Sequence, residues 1–310
     1  MHEHIARAMY YLSVHLLFAS IVAAAVWALT SSLRASATTK YWIWVATAFN
    51  FVLPSGALID KLWARHFTWA YPLGAIGGPV WELTQGRTAV ILATLWATGT
   101  VAMLIHLVAR IRAERREAQA TSPRNDGDVR SSFLADGIPV SFGDKQSGPA
   151  VRGVLNPRIL LPVGIECVLS RREFQAVLIH ELAHARRRDN LIRLLYECSL
   201  CLLWFNPLMW LAGARLGLYR ELSCDESVIR REHGQELVSA LAKLAVPTRA
   251  GVLQATASSH LSYRLALLAR ESQTTNRAAS VLLTCLFLAI IGVGIFQTIA
   301  HTACCFVLKH

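Results

Sequence analysis

Residues 177–190 read VLIHELAHARRRDN, and His180, Glu181 and His184 form an H-E-x-x-H pattern within them. On a helix, residues four apart stand one above the other, about 6 Å along the axis. Two imidazoles so placed reach one cation, and the glutamate after the first histidine stands ready as general base for an attacking water. That is the chemistry of a zinc-dependent peptidase. A chance match arises on the order of once or twice per hundred chains of this composition. Two histidines on an amphipathic helix with polar partners would look the same, so further ligands decide the matter.

A catalytic zinc takes three protein ligands and keeps one position open. The stretch YRELSCDESVIR supplies Glu221 and Asp225, four apart and on one face of a second helix. Glu221 is the candidate third ligand of a single Zn2+ per chain. Asp225 is the candidate acceptor for a ring N–H of a ligating histidine, which fixes that ring's tautomer. Cys224 offers a thiolate instead but reads better as a small packing residue. His233 is the nearest candidate to stabilise an oxyanion. Following Arg230, Arg231 and Glu232, it reads better as a surface histidine.

The elements that must position these groups are legible around them. Ser170 and Glu173 form a capping box, and Phe174, Val177, Leu178 and Leu182 recur at helical intervals. Ahead of that helix, residues 133–162 are short apolar runs broken by Gly and Pro, which predicts two or three strands. Val151, Arg152, Gly153, Val154 and Leu155 are the predicted edge against which an extended substrate would lie. Residues 198–214 carry no charge. As one membrane crossing they would separate Glu221 from the histidines. Asn206-Pro207 interrupts them, so a membrane-associated helical hairpin is predicted.

The whole chain has 310 residues, 54% of them hydrophobic and only 16% charged, a balance that points to a membrane protein. Four stretches lack Asp, Glu, Lys and Arg over about 20 residues or more: 9–33, 41–59, 88–109 and 278–307. Pro54 and Gly56 predict a kink in the second. The first is too long for a typical signal peptide and reads as a retained helix. Arg110, Arg112, Arg115, Arg116, Arg270 and Arg277 crowd the ends of the last two stretches. Placing them in the cytoplasm predicts a multi-pass plasma-membrane protein with both termini outside. Three parts follow: a membrane domain of three transmembrane helices over 1–116, a cytoplasmic metallopeptidase domain over 117–277, and a C-terminal transmembrane helix and tail over 278–310. Residues 117–130 are polar and read as the linker between the first two. The net charge of +11 is explained by orientation and anionic lipid rather than by direct nucleic-acid binding. Cys198 and Cys201 have redox spacing, but in an apolar helical run they read as core.

Four segments in order, GVLNPRILLP, LIHELAHARRRDN, WFNPLMW and YRELSCDESV, resemble the membrane zinc metallopeptidases of the BlaR/MecR antirepressor type over roughly residues 90–300. The resemblance implies a mainly α membrane protein with four transmembrane helices and an inserted α+β gluzincin domain. It implies zinc on His180, His184 and Glu221, with Glu181 as base. It also implies cleavage of a cytoplasmic winged-helix repressor, or of the chain itself, to switch on transcription. Asp189 matches a recurring position. Membrane lipid is the other expected partner, and an oligomer is compatible with this reading. Relatives that sense β-lactams carry a penicillin-binding domain beyond the fourth helix. No Ser-x-x-Lys follows that helix here, so sensing by acylation is not expected.

Overall fold

A computed structural model describes residues 2–52, 86–120, 133–143, 148–244, 264, 277–289 and 292. Helix α1 spans His2–Ser32, α2 Ala37–Asn50 and α3 Gly86–Ala120. Among the described residues, two windows are long and apolar enough to cross a membrane, His15–Ser32 in α1 and Val90–Arg116 in α3. Of the other two apolar stretches, the second is described only as far as residue 52. Its predicted kink at Pro54 and Gly56 lies outside the described residues. The fourth contributes a shorter apolar helix, Arg277–Ala289. The predicted linker begins later than its composition suggested. Helix α3 runs on to Ala120, because Glu117, Ala118, Gln119 and Ala120 are all good helix formers.

A four-stranded sheet follows, richer than the two or three strands expected. It comprises β1 Phe133–Ala135, β2 Ile138–Gly143, β3 Ala150–Arg152 and β4 Arg158–Pro162, in the order β1-β2-β4-β3. The β2–β4 pair is parallel, and β3 lies antiparallel to β4 at one edge. The expected edge of residues 151–155 is shorter than predicted. Gly153 turns the chain at φ +89, and the next residues form the bend into β4. Val154 and Leu155 therefore lie in a turn, and Leu155 is exposed.

The remaining helices are α4 Ile165–Val168, α5 Arg171–Arg187, α6 Asp189–Leu202, α7 Pro207–Ile229 and α8 Gly234–Leu244. The sheet packs on α5 through Val140, Ile159, Leu161, Val177 and Leu182. Asn206 and Pro207 divide α6 from α7. Asn206 Oδ1 accepts the Leu208 N–H at 2.9 Å, and proline occupies the first turn, where no donor is needed. The turn is held against α3. Trp96 donates its indole N–H to the Leu202 carbonyl at 2.7 Å, and Gly99 sits so close to the Trp204 ring that any Cβ would collide with it. A second core joins α1 and α2 to α6 and α7 through Val22, Trp44, Ala48, Met209 and Leu216. The apolar N-terminal helices thus share a hydrophobic interior with α7, the helix that carries Glu221.

Candidate metal centre

The helix that carries the H-E-x-x-H pattern is fixed at both ends. At its start, Ser170 Oγ accepts the Glu173 N–H at 3.3 Å, while the Ser170 N–H donates to Glu173 Oε2 at 2.7 Å. Lys243 and Ser239 of α8 also donate to Glu173, at 2.7 and 2.5 Å, and with the cap they hold its carboxyl down to about 2. At its end, Arg188 adopts φ 54, the left-handed region, and α6 restarts at Asp189. This reversal turns the Asp189 carboxylate back onto His184.

Each histidine turns Nδ1 toward a carboxylate and Nε2 toward the other histidine, and only His184 makes an aligned hydrogen bond through Nδ1. His184 Nδ1 is 2.7 Å from Asp189 Oδ2, and His180 Nδ1 lies 3.0 Å from Asp225 Oδ1. The two Nε2 atoms are 3.2 Å apart. Glu221 Oε2 stands 3.7 Å from the first and 3.8 Å from the second. The two Nε2 atoms and the anionic Glu221 oxygen thus converge on one point. Such a cluster calls for a cation at its centre. A triangle with these sides has a centre about 2.1 Å from every corner, the length of a zinc–nitrogen or zinc–oxygen bond. The residues fit a metal ion without rearrangement.

The surroundings favour this charge pattern. Burial raises the Glu221 pKa, but the histidines and Arg220 outweigh it and hold the carboxyl well below the usual range. Arg220 reaches Glu221 Oε1 at 3.0 Å, and Arg264 Nη1 is 3.4 Å from Oε2. Asp225 behaves alike. Burial opposes its ionisation, yet Arg264, bound through Nε at 2.8 Å and Nη2 at 2.7 Å, and then His180 keep it low. Asp189 is held low against its burial by His184 and Arg187, with Arg187 Nη2 donating to Oδ2 at 2.7 Å.

Glu181 is buried and borders a cleft of about 380 Å³ that also takes in His180, His184, Glu221, Arg220 and Arg264. Pro149, Ala150 and Val151, at the edge of the sheet, line it too. The structure therefore brings His180, Glu181, His184, Glu221 and Asp225 together. Of the five edge residues named from sequence, Val151 reaches the cleft and Arg152 ends the strand. Gly153, Val154 and Leu155 belong to the turn. His233 is not among the residues lining the cleft. Cys224 comes nearer the metal cluster than its packing role suggested. With His180 and His184 it forms a group whose ligand atoms lie within 4.8 Å of one another. Its Sγ accepts from Arg187 Nη2 at 2.9 Å, and burial pushes the thiol pKa up, against the pull of Arg187. Sequence reasoning missed Arg187, Arg220 and Arg264, and it could not assign Asp189 a role. Only Asp189, close after the histidines at a helix restart, left a local trace.

A helical scaffold that brings an H-E-x-x-H pair and a carboxylate from a neighbouring helix to one cleft is an arrangement consistent with the metallopeptidase class. Residues 11–268 match the family described as BlaR1 peptidase M56, and the chain belongs to that family. A methicillin resistance mecR1 protein of Staphylococcus aureus is 24% identical over 161 residues, covering 48% of this chain and 27% of the relative. The regulatory protein BlaR1 of Bacillus licheniformis is 41% identical over 86 residues, covering 26% of this chain and 14% of the relative. The match thus spans 27% of the first relative's length and 14% of the second's.

Proposed function

We propose that the chain is an integral membrane zinc endopeptidase that makes a regulatory cut in a cytoplasmic transcriptional repressor, or in itself. The observation that carries this reading is the triangle of His180 Nε2, His184 Nε2 and Glu221 Oε2, opening on a cleft bordered by Glu181. These three residues would hold the zinc. When bound, the metal would supply Lewis acidity toward a scissile carbonyl and toward water. The protein's own groups do the rest. Asp189 and Asp225 fix the imidazole tautomers, Arg220 and Arg264 hold Glu221 ionised, and Glu181 takes a proton from water and returns one to the leaving amine. An extended substrate would lie along Ala150 and Val151 of the edge strand β3, displacing the Asn190 amide that donates to the Val151 carbonyl at 2.9 Å, and main-chain hydrogen bonds there demand little of its side chains.

The regulatory role draws on the two relatives, one named as a regulatory protein and one as a methicillin resistance protein. The four-span topology, with the peptidase in the cytoplasm and both termini outside, draws on the arginine distribution. The test is a comparison of protein N-termini in cells carrying the chain or its Glu181→Gln form. One new N-terminus, in a cytoplasmic DNA-binding protein or in the chain itself, is the expected result. A broad spectrum of fragments from misfolded proteins would replace this reading with a quality-control protease. Identical N-termini in both cultures would leave a receptor or scaffold with structural zinc.

Zinc binding should depend on pH through His180. Burial lowers its pKa in the metal-free protein, but Asp225 and Glu221 outweigh this and push it up to about 9. A raised folded pKa means that the bound proton stabilises the metal-free fold at low pH, and that this contribution fades as pH rises through about 9. Below that pH, metal must displace the proton. The zinc affinity should therefore rise about tenfold per pH unit, with close to one proton released from this residue. Competition titrations one pH unit apart, in two buffers of different ionisation enthalpy, measure both quantities. A flat profile would show that His180 holds no proton that the metal must displace.

A further inference from the structure

The most distant contributor to the cluster is on α2, in the second apolar stretch. Tyr41 is fully buried there, and its hydroxyl donates to Asp189 Oδ1 at 2.7 Å. The other oxygen, Oδ2, is shared by His184 Nδ1 and Arg187 Nη2, both at 2.7 Å. The Arg187 guanidinium also lies over the Tyr41 ring, 4.5 Å from its centroid. One turn earlier on α2, the Thr38 N–H and hydroxyl donate to Glu226 Oε2 at 3.0 and 2.9 Å, next to Asp225 on α7. Helix α2 is therefore fastened at Asp189, the residue that orients His184, and at the residue beside the one that faces His180.

A buried tyrosine hydroxyl needs some partner, so a hydrogen bond alone says little. The particular oxygen matters more. Asp189 Oδ2 already holds His184 and Arg187, and a carboxylate tethered through one oxygen can pivot about that contact. Tyr41 takes the other oxygen and stops the pivot, which fixes the direction in which His184 Nε2 points. We propose that Tyr41 is a positioning residue of the metal centre, acting through Asp189 on His184, so that the seating of α2 against α7 sets metal affinity. The proposal rests on the reading of His180, His184 and Glu221 as the metal ligands. It gives the membrane helices a route to the site that moves no ligand directly, since a small shift of α2 breaks the Tyr41–Asp189 bond first.

The test uses the full chain in lipid nanodiscs, stripped of metal, with zinc affinity measured by chelator competition and Co2+ absorption as the geometric readout. Tyr41→Phe keeps the ring over Arg187 and loses only the hydroxyl. It should weaken zinc binding about ten- to a hundredfold, the usual cost of losing an outer partner of a ligating histidine, and shift the Co2+ bands. Installing 4-aminophenylalanine at position 41 returns a donor and should recover most of the loss. Combined with Asp189→Asn, Tyr41→Phe should add nothing further, because both act on one bond. The proposal is overturned if Tyr41→Phe binds zinc within twofold of wild type, even if the metal-free protein melts lower, since that is a filler's behaviour. Additive losses in the double variant overturn the route through Asp189. Should wild type and His184→Ala bind zinc equally, the ligand reading itself fails, and this proposal with it.

Discussion

Glu181→Gln should retain its zinc and lose at least about a thousandfold in peptide cleavage. Glutamine has nearly the shape of glutamate, so the cleft that Glu181 borders keeps its form. The three atoms that surround the metal position belong to other residues. What disappears is a carboxylate able to accept a proton from water and release it to the departing amine, a contribution of order 10²–10⁴ in rate. Loss of the negative charge beside His180 should alter metal affinity only slightly, because Asp225 and Glu221 dominate that ring's environment. Single-turnover cleavage of an unstructured protein substrate, with zinc quantified in the same sample, separates the two effects. Normal turnover at full zinc loading would remove the central residue from the mechanism.

The parts of this centre that lie close in sequence were readable, and the parts that converge from afar were not. The capping box, the four-residue spacing of the histidines and the pairing of Glu221 with Asp225 are all local features of single helices. The interruption at Asn206-Pro207 is local too, and it explains how a long apolar segment still returns Glu221 to the histidines. Asp189 is different. Nothing in Arg186-Arg187-Arg188 forecasts a helix stop, since a left-handed conformation at a non-glycine residue costs energy. The fold sustains it through bonds from Asp189 to Tyr41, His184 and Arg187. The bond to Tyr41 exists only after α2 has packed on the site. Arg264 has no motif around it, and its bidentate grip on Asp225 is a purely tertiary fact. The edge strand was read too long for a simpler reason. β-prone residues continue through Val154 and Leu155, but a glycine at φ +89 ends the strand first.

The sharpest separation within the site is between Glu221 and Cys224, three residues apart on α7. Each stands close enough to the histidines to be the third ligand. Glu221→Ala should abolish stoichiometric zinc binding, a larger loss than the ~10–100-fold of an outer partner, whereas Cys224→Ala should keep one zinc per chain. The distances favour the carboxylate, whose oxygen completes a triangle of zinc-bond dimensions. Protonation favours it as well. A ligand must be deprotonated, and Arg220 and the histidines keep Glu221 ionised, while burial keeps the proton on Cys224. The thiol already has an occupation, accepting the Arg187 hydrogen bond that ties α5 to α7, so its removal should lower the melting temperature without emptying the site. Co2+ substitution gives an independent reading. A thiolate ligand produces an intense sulfur-to-cobalt charge-transfer band in the near ultraviolet, and the wild-type chain should lack it. A strong band that vanishes in Cys224→Ala, together with zinc retained by Glu221→Ala, would transfer the third position to the cysteine. It would leave the Glu221 carboxylate, flanked by Arg220 and Arg264, facing the cleft as a group for gripping substrate.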